Sequence, residues 1–188
     1  MPNALVISHP EVVVDPTRPV PCWHLSAVGI DRMTRFASSS IVDGVAAIFT
    51  SPETKAIEAA QVLGQVRGIP ITIQNGLEEI DRSATGFLPP SEFERTADAF
   101  FADPERSVRG WERAVDAQAR IVRAIHGLLK ASSGGDLAIV THGGVGTLLL
   151  CSYLQTPITR KLDQPSQGHY WVLDIASGRP RHGWRPLA

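Results

Sequence analysis

Cysteine is nearly absent: Cys22 and Cys151 are the only two in 188 residues. They lie far apart and form no CxxC pair, which argues against a disulfide framework and against a cysteine-based zinc site. Lysine is scarce too. Lys55, Lys130 and Lys161 are the only lysines among 18 basic residues, so a lysine inside a motif stands out. An excess of either charge is missing: the formal net charge is -1, which gives no sign of a nucleic-acid or membrane partner. No apolar run approaches the roughly 20 residues that cross a bilayer; Val145–Leu150 is among the longest. No basic amino-terminal segment precedes an apolar stretch, so no secretory signal is expected and a cytoplasmic setting is. His24, His126, His169 and His182 sit in no HExxH pairing, so no metal is expected. Gly143-Gly144-Val145-Gly146 lacks the GxGxxG spacing of a dinucleotide loop, no Gly-x-Ser-x-Gly nucleophile motif occurs, and no cofactor is expected.

What the chain does have is 43% hydrophobic residues and length enough for one well-buried domain over residues 1–188. Short apolar runs read as strands at Leu5–Ile7, Val45–Thr50, Ile69–Ile73, Leu137–Thr141 and Tyr170–Ile175, with a short partner near His182 to Trp184 after a Ser177-Gly178 turn. Four prolines make Pro10 to Pro21 a loop. Ser26 reads as the cap of a helix running toward Ser38, and Ser51-Pro52-Glu53 as cap, first position and first-turn acid of a second. Trp111 to Lys130 is amphipathic and ends at Ser132-Ser133-Gly134-Gly135; a further helix runs from Gly143 to about Leu154. The alternation predicts a three-layer α/β/α fold, with a mostly parallel central sheet of about five or six strands. Residues 76–110 lack a clean period, are broken by Pro89-Pro90 and Asp103-Pro104, and hold four of the six phenylalanines. They are expected to form an inserted lid or cap. Phe100-Phe101 beside Pro104 also suits a homodimer contact.

The chemistry starts from two histidines. His9 and His142 each end an apolar run, and strand ends on the carboxyl side are where open parallel sheets bind ligands. A phosphomonoester can be cleaved by a neutral imidazole attacking phosphorus. Such a site needs donors for the phosphoryl oxygens and an acid for the leaving group. Ser51 and Lys55 follow the second strand, Glu78 and Glu79 follow the third, and Gly143-Gly144 open a helix whose backbone N–H groups suit an anion.

In this order the residues resemble the histidine phosphatase, or phosphoglycerate mutase-like, superfamily. That family runs from a strand into Arg-His-Gly, then Leu-Ser-x-x-Gly, then Ser-Pro-x-x-Arg-Ala-x-x-Thr-Ala, a Leu-x-Glu acid segment and Ser-His-Gly-Gly. Here Ser8-His9-Pro10, Leu25-Ser26-Ala27-Val28-Gly29, Ser51-Pro52-Glu53-Thr54-Lys55-Ala56, Leu77-Glu78-Glu79-Ile80 and Thr141-His142-Gly143-Gly144 stand in those places. The resemblance implies a phosphoglycerate mutase-like fold and a phosphatase acting through phosphohistidine. It implies His9 as nucleophile, His142 as the second histidine at the phosphoryl group and Glu79 as proton donor. The small phosphorylated substrate or phosphoprotein stays unspecified, and Glu78 and Asp81 stand beside Glu79 as alternative acids.

Two arginines of the pattern are missing. Ser8 stands in place of the first and Lys55 in place of the second. Lysine keeps the charge but loses the bidentate fork. Pro10 removes a backbone N–H, and Asp15 falls where an asparagine is usual. Charge-assisted hydrogen bonds are worth roughly 1.5–3 kcal/mol each, so compensation is expected from Arg82, or from Arg109 or Arg113. The expected phosphate contacts are therefore Ser8, Lys55, Arg82 and Gly143. The alternative is a catalytically impaired phospho-ligand-binding protein of the same fold.

Overall fold

Along β1 (Asn3–Ser8) Ala4 and Val6 face one helical layer, while Leu5 and Ile7 face the other. β4 (Asp136–Thr141) repeats the pattern, with Leu137 and Ile139 on one side and Ala138 and Val140 on the other. Strands buried on both faces need apolar residues at every position, which is why they read as runs rather than alternations. The computed structural model describes residues 2–132 and 134–187. Its sheet also contains β2 (Val45–Thr50), β3 (Ile71–Ile73), β5 (His169–Asp174) and two-residue strands β6 (Arg179–Pro180) and β7 (Arg185–Pro186). The order is β3-β2-β4-β1-β5-β6, with β7 also on β5. β1 to β4 run parallel; β5 is antiparallel to β1, and β6 and β7 are antiparallel to β5. The expected α/β/α layering holds, and the short β6 and β7 bring the described strands to seven.

Helices α1 (Ala27–Ala37) and α2 (Thr54–Arg67) cover one face. Helices α3 (Pro90–Ala102), α4 (Ala114–Ala131) and α5 (Gly143–Tyr153) belong to the core of the other. Ser26 caps α1 as expected, accepting from the Gly29 N–H at 3.0 Å. α2 departs from expectation. Its cap position is Glu53, because the Ser51 N–H is held by the Val140 carbonyl at 2.9 Å as an extension of the strand ladder. The third strand starts two residues late, because Gly68 (φ 67°) ends α2 in the left-handed region and the Ile69 N–H closes back on the Gly64 carbonyl. Pro90 starts α3 at its first turn instead of breaking the segment. α4 begins at Ala114, three residues after Trp111, and has Ser132 as its C-cap; Ser133 lies outside the described residues. Phe100 and Phe101 are 0% and 5% exposed, so the homodimer surface expected there is core. Among the described residues no helix is long and apolar enough to cross a membrane.

Candidate active site

The parallel register pairs Ser8 with Thr141, so the residues that follow, His9 and His142, leave the sheet side by side. The His9 N–H holds the Thr141 carbonyl at 3.2 Å. The two imidazoles meet edge to face with centroids 5.3 Å apart. His9 Nδ1 lies 2.9 Å from the Pro10 carbonyl. A carbonyl only accepts, so Nδ1 carries the proton and Nε2 keeps its lone pair. Pro10 thus gives up an N–H but supplies the carbonyl that fixes the tautomer. Burial above all, then the charges of His142 and Lys55, hold His9 well below the usual histidine range; the Pro10 carbonyl and Glu53 pull the other way. His9 is therefore a neutral imidazole with one unprotonated nitrogen.

His142 is fully buried, and burial followed by the charges of Lys55, Arg82 and Arg120 also keeps it neutral. Its Nε2 lies 2.8 Å from Ser51 Oγ. That hydroxyl also accepts from the Glu53 N–H at 3.3 Å, and its second lone pair and its own proton let it pair with either tautomer of His142. Nδ1 of His142 is buried with no hydrogen-bond partner among the described residues. Ser51 is therefore a positioning residue, freed for this role because it does not cap α2.

Glu53 was expected only as a first-turn acid. Its carboxylate is buried, with Oε2 2.5 Å from Lys55 Nζ and Oε1 accepting from the Glu79 N–H at 2.9 Å. Oε1 also stands 3.5 Å from His142 Nε2. Lys55 Nζ donates in addition to the Val20 carbonyl at 2.9 Å. An ammonium has three donors, so one remains for a ligand.

Glu79 sits across the start of α5. Oε1 accepts from the Ile80 N–H at 3.1 Å and the Val145 N–H at 3.0 Å; Oε2 accepts from the Gly144 N–H at 3.1 Å. The free N–H groups expected at Gly143-Gly144 are thus partly used by a carboxylate of the protein. Each carboxylate oxygen has two lone pairs, so Oε2, with one N–H, is the oxygen with room for a proton. The rival acids point elsewhere: Glu78 accepts from the Gly76 N–H and Asp81 from the Ser83 N–H.

His9, Lys55, Glu79, Arg82, Gly143 and Gly144 line one cavity of about 440 Å³. Ser8 does not. It is fully buried behind His9, where its hydroxyl donates to Gln164 Oε1 at 2.5 Å and accepts from the His169 N–H at 3.0 Å. The residue that reaches the cavity in its place is Gln164, which packs so closely on Gly143 that an added Cβ would come within 2.1 Å of its amide nitrogen. Gln164 lies in a loop with no motif to announce it. Arg82 is the cavity cation without a carboxylate partner among the described residues; its guanidinium lies over Phe93 (5.0 Å) and Trp111 (5.6 Å). Arg109 and Arg113 stay outside, paired with Glu92 and Asp116. Asp15 turns away to Thr17 and Arg18. No group of three or more potential metal ligands occurs among the described residues.

The histidine phosphatase superfamily (branch 1) family model matches residues 22–183. A search of curated proteins found no match. Among solved structures, a mycobacterial glucosyl-3-phosphoglycerate phosphatase is similar at 18% identity and TM-score 0.81, covering 98% of this chain and 99% of that one. YhfR of Bacillus stearothermophilus is similar at 23% identity and TM-score 0.79, covering 97% and 95%. A phosphoserine phosphatase from Entamoeba histolytica is similar at 16% identity and TM-score 0.80, covering 100% and 98%. At these identities the likeness establishes the fold.

Proposed function

Because the chain belongs to the histidine phosphatase superfamily, branch 1, we propose that it is a phosphomonoesterase that forms a phosphohistidine on His9. The observation that carries this reading is the state of His9: neutral, with Nδ1 tied to the Pro10 carbonyl and Nε2 unprotonated, in a cavity also lined by Glu79, Lys55 and Arg82. In the reaction His9 Nε2 attacks phosphorus and the ester P–O bond breaks. The leaving oxygen takes the proton of Glu79. Water then attacks the phosphohistidine, Glu79 recovers a proton from it, and the P–N bond breaks to release phosphate and neutral His9. Lys55 and Arg82 hold the phosphoryl oxygens as charge builds, and His142, edge to face against His9, is the second histidine of the site.

The cavity suits a small phosphorylated molecule rather than a folded phosphoprotein, and two of the similar structures are phosphatases of small phosphorylated compounds by description. A cytoplasmic setting is part of the same proposal. The test is turnover of p-nitrophenyl phosphate, with alkaline quench and mass spectrometry for phosphate on His9. His9→Ala is expected to abolish both signals; unchanged turnover in that variant sinks the mechanism.

One observation favours a second reading, a phospho-ligand-binding protein without turnover. Lys55 is neutralised by Glu53 and Glu79 is held by three backbone N–H groups. Vanadate binding by the wild type with no turnover at any pH would select that reading.

A further inference from the structure

Beyond the phosphoryl end, the cavity opens into a chamber with aromatic walls. Trp23 and Phe87, with ring centroids 5.8 Å apart, and Phe93 and Trp111, 6.0 Å apart, line it. We propose that this chamber is the leaving-group subsite and that the preferred substrates are phosphomonoesters of aromatic or similarly flat apolar alcohols, not of sugars or polyols. The proposal rests on the phosphomonoesterase reading for its reaction and on the chamber for its specificity.

A polyhydroxyl leaving group needs donors and acceptors at its far end, and a site that leaves hydroxyls unpaired rejects them. The indole N–H of Trp23 is spent on the Asp15 carbonyl at 2.8 Å, and that of Trp111 on Thr85 Oγ1 at 2.9 Å. Neither tryptophan therefore has its N–H free for a ligand. Several polar groups beyond the histidines are also committed. Arg160 is clamped by Glu94 and Asp98, Asp163 accepts from Thr147 Oγ1 and the Gln164 N–H, and Gln164 Oε1 is held by Ser8. Ser166 and Gln167 stand at the exposed rim, and the Arg82 guanidinium is stacked on Phe93 and Trp111 where the chamber meets the phosphoryl end. A flat ring entering there meets aromatic faces and the edge of a stacked cation, both of which favour it over water. The volume of about 440 Å³ falls within the range of small-ligand sites, about 300–1,000 Å³.

The experiment compares kcat/KM for 1-naphthyl phosphate and glycerol phosphate, and separately the affinities of 1-naphthylmethylphosphonate and methylphosphonate by calorimetry. The naphthyl member of each pair is expected to win by at least about tenfold, the lower end of what one added apolar contact supplies in a fitted pocket. Phe87→Ala is expected to shrink both ratios; a ratio cancels any general loss of activity or stability. If glycerol phosphate is turned over as well as naphthyl phosphate and the two phosphonates bind equally, the chamber proposal is overturned while the phosphomonoesterase reading stands. If the naphthyl phosphonate binds tighter, with the gain lost in Phe87→Ala, and no phosphate ester is turned over, the reaction reading fails and the ligand class of the chamber is upheld.

Discussion

Glu53 and Lys55 form a buried ion pair, 2.5 Å from Oε2 to Nζ, beside the two histidines. Lys55 occupies the place of a phosphate-binding arginine, so its charge is already answered before any ligand arrives. Removing one partner of a buried pair leaves the other uncompensated, at about 3–5 kcal/mol. Glu53→Gln is therefore expected to lower the melting temperature of the ligand-free protein. Vanadate or phosphate then meets an unanswered ammonium. The thermal shift they produce is expected to exceed that of the wild type, with affinity raised about tenfold, as one charged hydrogen bond allows. Equal shifts in the two proteins would show that Lys55 does not face the anion.

Arg82 and Arg109 make opposite predictions. Arg82 lines the cavity with no carboxylate against it among the described residues, whereas Arg109 is half exposed and paired with Glu92. Arg82→Ala is expected to weaken vanadate binding by about tenfold or more, the worth of a charge-assisted contact. Arg109→Ala is expected to leave it unchanged. Equal effects in an equilibrium titration would remove Arg82 from the phosphate site.

Ser51 acts through His142. Its hydroxyl is bonded to the Glu53 N–H and to His142 Nε2. In Ser51→Ala that partner of Nε2 is lost, and Glu53 Oε1 at 3.5 Å is the polar group left beside it. We expect kcat to fall about 10–100-fold with a smaller change in KM, because the lost bond matters most as charge develops. Nitrogen NMR of the His142 ring should report the changed state of Nε2. Loss of activity without it would mean that Ser51 is merely structural.

The two strand-end histidines and the layered fold were legible because each depends on a local pattern, whereas Glu79 came from the resemblance, with Glu78 and Asp81 beside it. An apolar run ending in histidine is a strand end, and parallel strands bring such ends to one edge. Ser51 and Glu53 were visible but misassigned: Ser-Pro-Glu before an apolar face is also a helix start, and the local sequence cannot show that Val140 holds Ser51 in the sheet. Ser8 and Gln164 were beyond reach for another reason. Their bond joins residues 156 apart in sequence, and nothing near Gln164 marks it. The aromatic chamber is a similar case. The clustering of phenylalanines in 76–110 is plain, but Trp23 joins them from the proline-rich loop.

Acid stability follows from the histidines. His9 and His142 are both held well below 6.5 by burial, so the folded chain stays unprotonated where the unfolded chain takes up protons. The unfolded state then binds more protons, and stability rises with pH through the window below 6.5 and levels off above it. Each histidine contributes up to about 1.4 kcal/mol per pH unit in that window. Urea unfolding between pH 7 and 5 should show this slope, and His9→Gln and His142→Gln should each remove one proton's share. A wild-type slope preserved in the double variant would contradict the assignment.

Glu79 is the last and sharpest case, because its carboxylate is anchored by α5 and still assigned a proton. A group that protonates the leaving oxygen matters in proportion to how badly that oxygen needs a proton. Glu79→Gln keeps the shape and can still meet some of the same backbone partners, but cannot act as the acid. It is expected to slow an alkyl phosphate by about 10²–10⁴-fold, the usual worth of general acid catalysis. With p-nitrophenyl phosphate, whose leaving group departs without help, the first step should be nearly spared and phosphohistidine should accumulate, since the same carboxylate is needed to activate water. Gly144→Ala probes the anchoring separately. An added Cβ would come within 2.7 Å of Glu79 Oε1 and 2.6 Å of Ile80 Cδ1, so the acid is displaced while His9 is untouched. Both variants should therefore show the same dependence on leaving group in single-turnover kinetics. Equal losses on both substrates would assign the carboxylate a structural role at the start of α5 instead.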